Sequence, residues 1–251
     1  MTKNQKRVWK LSIAIAIVFT VCPVSNAMHI MEGYLPPALC IAWGAVCLPF
    51  LIKGLISIKK IFEDNKKAVT LVAMAGAYVF VLSALKIPSV TGSCSHMTGT
   101  GFSAILFGPC VTAILGIIVL IFQAILLAHG GLTTLGANTF SMAIAGPALT
   151  YGIYAICKKM KVNRKVSIFL AAALGDLFTY CITSMQLAIA YPSAEGGVVA
   201  SFAEFLGVFA PTQLPLAVIE GILTVLIMMA LESYAKPELK AVGFIRVEET
   251  K

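Results

Sequence analysis

The sequence predicts an all-α polytopic membrane protein: a seven-helix bundle that follows a removable signal peptide. Three observations predict it. The chain is 59% hydrophobic and 12% charged, with mean hydropathy +0.93, whereas soluble domains run nearer half apolar and a quarter charged. Apolar runs of about 20 residues, the length that crosses a bilayer, recur along it. Its basic residues gather in clusters instead of spreading evenly. Together these exclude a water-soluble enzyme, a nucleic-acid module and a disordered tail. The net charge of +8 therefore carries topological information.

The first element is a targeting signal. Lys3, Lys6, Arg7 and Lys10 precede the apolar run Leu11 to Val21, and Ser25-Asn26-Ala27 places small residues where a signal peptidase reads. The run is short for a span of roughly 30 Å, which favours a signal over an anchor. Cys22 lacks the small residue before it that a lipoprotein signal carries. The predicted division is a signal peptide over 1–27, a bundle over 28–235 and a tail over 236–251. Cleavage after Ala27 leaves Met28-His29-Ile30 as the new start, with a free amine facing outward.

Six spans follow from the apolar runs: Pro36 to Ile58, Ala68 to Ile87, Pro109 to Ala128, Ala137 to Cys157, Val166 to Ala190 and Pro211 to Tyr234. A shorter stretch, Gly101 to Phe107, precedes the breaking pair Gly108-Pro109. Charge decides the parity. Lys59, Lys60, Lys66 and Lys67 form one basic loop; Lys158, Lys159, Lys161, Arg164 and Lys165 form another; Lys236, Lys240, Arg246 and Lys251 lie in the tail. Basic loops stay cytoplasmic. Both loops and the tail fall inside only if Thr98 to Ala128 is crossed twice, which makes seven. The first of those pieces is short, a tilted or half helix packed against protein; a re-entrant loop is the rival. The expected setting is a multi-pass cell-membrane protein, mature N-terminus outside and C-terminus cytoplasmic.

This topology collects all three histidines, His29, His96 and His129, at the outer side. A histidine second from a free amine is chemically special. The Met28 amine, the deprotonated His29 backbone nitrogen and the His29 imidazole can chelate one ion in small, unstrained rings. One more imidazole completes a plane of four nitrogens, which suits Ni(II) or Cu(II) and is accepted by low-spin Co(II). His96, in the glycine-rich stretch Thr91 to Gly99, is the better fourth ligand. His129 reads first as a hydrogen-bonding residue of the turn His129-Gly130-Gly131. Cys94 is a softer alternative near His96. The seven cysteines are scattered through apolar segments and read mostly as small core residues, not a disulfide or zinc framework.

Asp176 and Glu220 fall within predicted spans. Intramembrane carboxylates are functional candidates. One reading is a proton or ion relay; the favoured one is interhelical pairing or partner contact. Alanine- and glycine-rich stretches at 73–77, 143–146 and 171–175 predict close helix packing. No Gly-x-x-x-x-Gly-Lys-Ser/Thr loop, Gly-x-Ser-x-Gly elbow or His-Glu-x-x-His motif is present. Active transport would therefore draw on an ion gradient or a partner ATPase.

Several long strings resemble the CbiM family, the substrate-binding subunits of energy-coupling-factor cobalt transporters. They are Met28-His29-Ile30-Met31-Glu32-Gly33-Tyr34-Leu35-Pro36, Ser83 to His96, His129 to Asn138, Ala172 to Leu177 and Gln213-Leu214-Pro215-Leu216-Ala217. Met97 stands where many relatives have proline. The family is similar to the nickel-specific NikM proteins, which share the metal-binding N-terminus. The resemblance implies that Met28 supplies the amine, His29 its amide nitrogen and imidazole, and His96 the fourth nitrogen. It implies Co(II) as transported substrate, with Ni(II) the close alternative, and no permanently bound cofactor. It implies partners of the CbiN, CbiQ and CbiO types, ATP hydrolysis in the last of these, and a destination in cobalamin synthesis. The rivals from other classes are an ion-coupled secondary transporter using Asp176 and Glu220, and an intramembrane metalloenzyme, for which a closed four-nitrogen site leaves no open position.

Overall fold

The computed structural model describes residues 26–27, 29–64, 66–88 and 93–244. Most of the predicted signal peptide and all of Met28 lie outside the described residues, as does the side chain of Cys94.

The fold is helical, as expected. Helix α1 is Pro37–Asp64, α2 is Lys66–Ala84, α3 is Thr100–Phe107, α4 is Pro109–Leu127, α5 is Leu135–Lys159, α6 is Arg164–Ala190, α7 is Gly197–Tyr234 and the short α8 is Lys236–Ala241. Among the described residues, α1, α4, α5, α6 and α7 are long and apolar enough to cross a membrane. Ala68–Ala84 of α2 is a shorter apolar helix. Leu48, Ile52, Leu55 and Ile56 of α1 are exposed, the inside-out surface expected where lipid is the solvent.

The region between His96 and His129 is a helical hairpin. Gly108 takes φ 83°, a backbone that favours glycine, and Pro109 starts the next helix with its fixed φ and no lost hydrogen bond. Ser103 Oγ and Thr112 Oγ1 stand 2.9 Å apart across the bend. Helix α3 has eight residues, about 12 Å of rise, less than half a bilayer core. It survives because Thr100 through Leu106 are all buried in protein. The chain turns back on itself at Gly108-Pro109.

Three helices differ from expectation. Helix α2 stops at Ala84, because Ile87–Pro88 instead forms a strand. Helix α5 contains a π-helical stretch, Thr139–Ala145, a widening that recurs near functional sites. Helix α7 begins at Gly197, fourteen residues before the predicted Pro211, and carries Pro211 and Pro215 inside it. Proline is tolerated there because neighbouring helices can satisfy the freed backbone groups.

Close packing follows the small residues. A Cβ on Gly101 would stand 3.1 Å from Ala172 Cα, so α3 lies directly on α6. Of the cysteines with described side chains, Cys47 alone is buried and the other four are partly exposed. The expectation of core cysteines holds only for that one.

The two ends of the bundle differ. At one end, Ile58, Leu71, Val72, Phe102, Leu106, Met228 and Leu239 share one apolar cluster. At the other, a three-stranded patch of β1 (Asn26–Ala27), β3 (Ser93–Ser95) and β2 (Ile87–Pro88) sits beside the histidines. Strand β1 runs parallel to β3 with Ala27 opposite Cys94. The residues that follow these two strands lead into His29 and His96.

Candidate metal centre

All three histidines converge and are at most 2% exposed. Their ligand-capable nitrogens lie within 4.8 Å of one another. Ring centroids are 4.5 Å apart for His29 and His96, 4.5 Å for His29 and His129, and 5.0 Å for His96 and His129.

The backbone that carries His29 is pinned from α5. Asn138 makes a two-point clamp: Ile30 N donates to Asn138 Oδ1 at 2.8 Å, and Asn138 Nδ2 donates to Ile30 O at 2.9 Å. Thr134 Oγ1 also donates to Ile30 O, at 2.6 Å. Glu32 accepts from Leu132 N at 2.5 Å and from Thr133 N at 3.2 Å, and Gly33 N donates to Thr133 Oγ1 at 3.1 Å. Hydrogen bonds from Thr133, then the backbone of Thr133 and Leu132, hold the Glu32 carboxyl below its ordinary value. The segment approaches so closely that a Cβ on Gly131 would meet Glu32 Cα at 2.5 Å. A glycine is required there for want of space.

Hydrogen bonds set the histidine tautomers. Ser83 Oγ donates to Val79 O, so it accepts from Gln123 Nε2, at 2.7 Å. That turns Gln123 Oε1 toward His29 Nε2, 3.2 Å away. An amide oxygen only accepts, so His29 carries its proton on Nε2 and keeps Nδ1 as the electron-pair donor. His96 Nδ1 lies 2.8 Å from Met97 O. It donates there and leaves Nε2 as the donor of electrons. His96 Nε2 has no hydrogen-bond partner among the described residues, nor has either ring nitrogen of His129. Burial keeps all three rings neutral: it pushes His96 down to about 4, with His29 and His129 also driven well below the ordinary range. Neutral imidazole is the form that binds a metal.

The His96 loop is held by the two intramembrane carboxyls. Glu220 accepts from Thr98 N at 2.6 Å, Thr98 Oγ1 at 2.9 Å and Gly99 N at 3.0 Å. Gln213 Nε2 reaches Asp176 Oδ2 at 2.6 Å and His96 O at 3.3 Å. Asp176 and Glu220 also lie beside each other. Their expected role as interhelical ties matches this geometry.

Thus the structure brings His29 and His96 together as the sequence implied. It also brings in His129, which makes none of the side-chain hydrogen bonds expected of it in its turn. Only its backbone is engaged, His129 N donating to Gln123 O at 3.1 Å. Met28 falls outside the described residues. Gln123, Ser83 and Asn138 escaped sequence reasoning. Each is a polar side chain inside an apolar run, and that incongruity was the one available signal.

A buried, neutral, nitrogen-only cluster near a bundle end suits a transition metal. The chain matches, over residues 29–239, the CbiM family, described as the cobalt uptake substrate-specific transmembrane region. It belongs to the CbiM family. It is 66% identical over 98% of its length to the cobalt transport protein CbiM of Lachnoclostridium phytofermentans, covering 98% of that protein. The CbiM of Nostoc sp. is 55% identical over 92% of this chain and 89% of its own. Two solved structures share the fold: a transition metal transporter at TM-score 0.73 and 27% identity, covering 88% of this chain and 99% of its own, and a truncated form at TM-score 0.72. CbiM is a family of transport proteins and not of enzymes, so the metalloenzyme reading falls away.

Proposed function

We propose that this chain is the metal-capture subunit of an ATP-driven cobalt(II) importer that supplies cobalamin synthesis. The ion is cargo, bound from outside by the Met28 amine, the His29 amide nitrogen, His29 Nδ1 and His96 Nε2. The observation that carries this is the pair of fixed tautomers, which offer Nδ1 of His29 and Nε2 of His96 in one buried cluster. Nδ1 is the nitrogen that closes a small ring with its own backbone amide. Residues 1–27 act as a cleaved signal, the histidine end faces outward, and the tail is cytoplasmic.

The chain lacks a phosphate loop, so the energy comes from partners of the CbiN, CbiQ and CbiO types. ATP hydrolysis there reorients this subunit toward the cytoplasm, an alternating-access step. Cobalt, the metal named in the family and in these close relatives, is preferred to nickel. Glu220 accepts from Thr98 and Gly99, and Asp176 Oδ2 accepts from Gln213, which supports a role as ties for the His96 loop.

N-terminal sequencing of the mature protein should return Met28. One residue inserted between Ala27 and Met28 should displace the amine and abolish tight cobalt binding; unchanged affinity would remove the amine from the site. Cellular uptake of labelled cobalt should require the partner ATPase, and uptake without it would refute the coupling.

A further inference from the structure

We infer that His129 is a fifth, axial ligand to the captured ion and that it biases the site toward Co(II) over Ni(II). The inference rests on the four-nitrogen reading above and deepens it.

Ring geometry carries the argument. An imidazole nitrogen about 2.0 Å from an ion puts its ring centroid about 3 Å away, so two cis rings stand about 4.5 Å apart and two trans rings about 6 Å. The three observed separations are 4.5, 4.5 and 5.0 Å. These separations match three rings placed mutually cis around one point, a facial arrangement that no single plane accommodates. If His29 and His96 share the plane, His129 stands above it. The His29 chelate ring lies close to its own coordination plane, and the His129 ring is inclined 77° to it. An axial imidazole is steeply inclined in this way, and the His96 ring, at 65°, is inclined less. His129 is 1% exposed, and neither of its ring nitrogens has a hydrogen-bond partner among the described residues. A buried ring with no polar partner is costly unless something else engages it.

The position is built, not incidental. His129 follows the left-handed Ala128 that ends α4, at φ 46°. Gly130 next to it has φ 77°, and a Cβ there would press on Asn138 Nδ2 at 3.1 Å and His29 Cβ at 3.4 Å. The turn thus delivers the ring against His29 and away from solvent.

Electron count turns an axial ligand into selectivity. Ni(II) in a plane of strong nitrogen donors pairs its eight d electrons and leaves the axial positions without bonding. Low-spin Co(II) has one electron in the axial orbital and gains from a fifth donor there. An axial imidazole therefore stabilises cobalt and does little for nickel.

The test uses the full chain purified in detergent and loaded with Co(II) alone or Ni(II) alone. Electron paramagnetic resonance of the wild-type cobalt form should show each axial line split into three by one nitrogen-14. His129→Ala and His129→Asn should lose that splitting and weaken cobalt about 10- to 100-fold, while nickel affinity holds within about threefold. A wild-type spectrum without axial nitrogen splitting would overturn the proposal, and it needs no variant to fold. Equal weakening of both metals in the variants would overturn it too. The residue inserted before Met28 separates the two readings. If it abolishes binding while the axial splitting is absent, only His129's role falls; if it changes nothing, the four-nitrogen site falls and takes this inference with it.

Discussion

The histidine end and the opposite end of this bundle are built from different interactions. At the opposite end, residues such as Leu71, Val72, Leu106, Met228 and Leu239 meet by shape alone. At the histidine end, contacts are directional: Asn138 holds Ile30, Glu32 holds 132–133, Gln123 holds His29, and Glu220 holds 98–99. Dispersion is tolerant of small shifts and sums over many weak contacts. A hydrogen bond in a low dielectric is strong when made and costly when broken. The apolar end can therefore keep the bundle together without fixing any one atom. The polar end holds particular atoms, among them the ring nitrogens His29 Nε2 and His96 Nδ1, at set partners.

Four measurements would break or sharpen this contrast. The largest effect is expected at Glu220, which joins the two regimes by tying the His96 loop to α7. Glu220→Ala leaves two backbone N–H groups without acceptors and should cost about 4 kcal/mol of stability. Cobalt affinity should fall with it. A variant with normal affinity would show that the loop does not need this anchor. Next, Leu71→Ala should lower stability by about 3 kcal/mol through a cavity, with the cobalt dissociation constant unchanged. A shift in affinity would mean that packing at the far end reaches the metal. Asn138→Ala should do the reverse: cobalt affinity drops about 30-fold, within the range seen for residues that orient ligands, with a smaller change in melting temperature.

The smallest effect is the pH dependence of the metal-free protein. Burial lowers the three folded-state imidazole values, His96 to about 4, whereas the unfolded value is about 6.5. The unfolded chain thus binds more protons between these limits. The stability from neutral histidines is present above about 6.5 and is lost as pH falls toward 4. From pH 7.5 to 6.5 the loss is about 1 kcal/mol for the three together, and it steepens below. Thermal melts in detergent across pH 7.5 to 6.5 should show it. Leu71→Ala should share the same slope, since its region holds no histidine. A flat profile would mean the rings are not held neutral by burial.

The seven-helix count was legible because a bilayer demands long apolar runs and the basic loops impose parity. The half-length of α3 was legible from Gly108-Pro109. The start of α7 was not, because Pro211 and Pro215 resemble stops, and only neighbouring helices make them harmless. His29 stood out by its place beside a predicted cleavage point, and His96 by its glycine-rich loop. His129 was underweighted because nothing local places it near the others.

By itself the sequence determined the class of solvent, the helical fold and two imidazoles of one cluster, since length, hydropathy and chain position are local quantities. The tertiary structure alone decided which nitrogen of His29 and of His96 is free. That depends on Gln123, 94 residues from His29, and on the Met97 carbonyl beside His96. It also decided that a third ring completes the cluster, because only the folding back of α3 on α4 returns residue 129 to the end from which residue 96 departed.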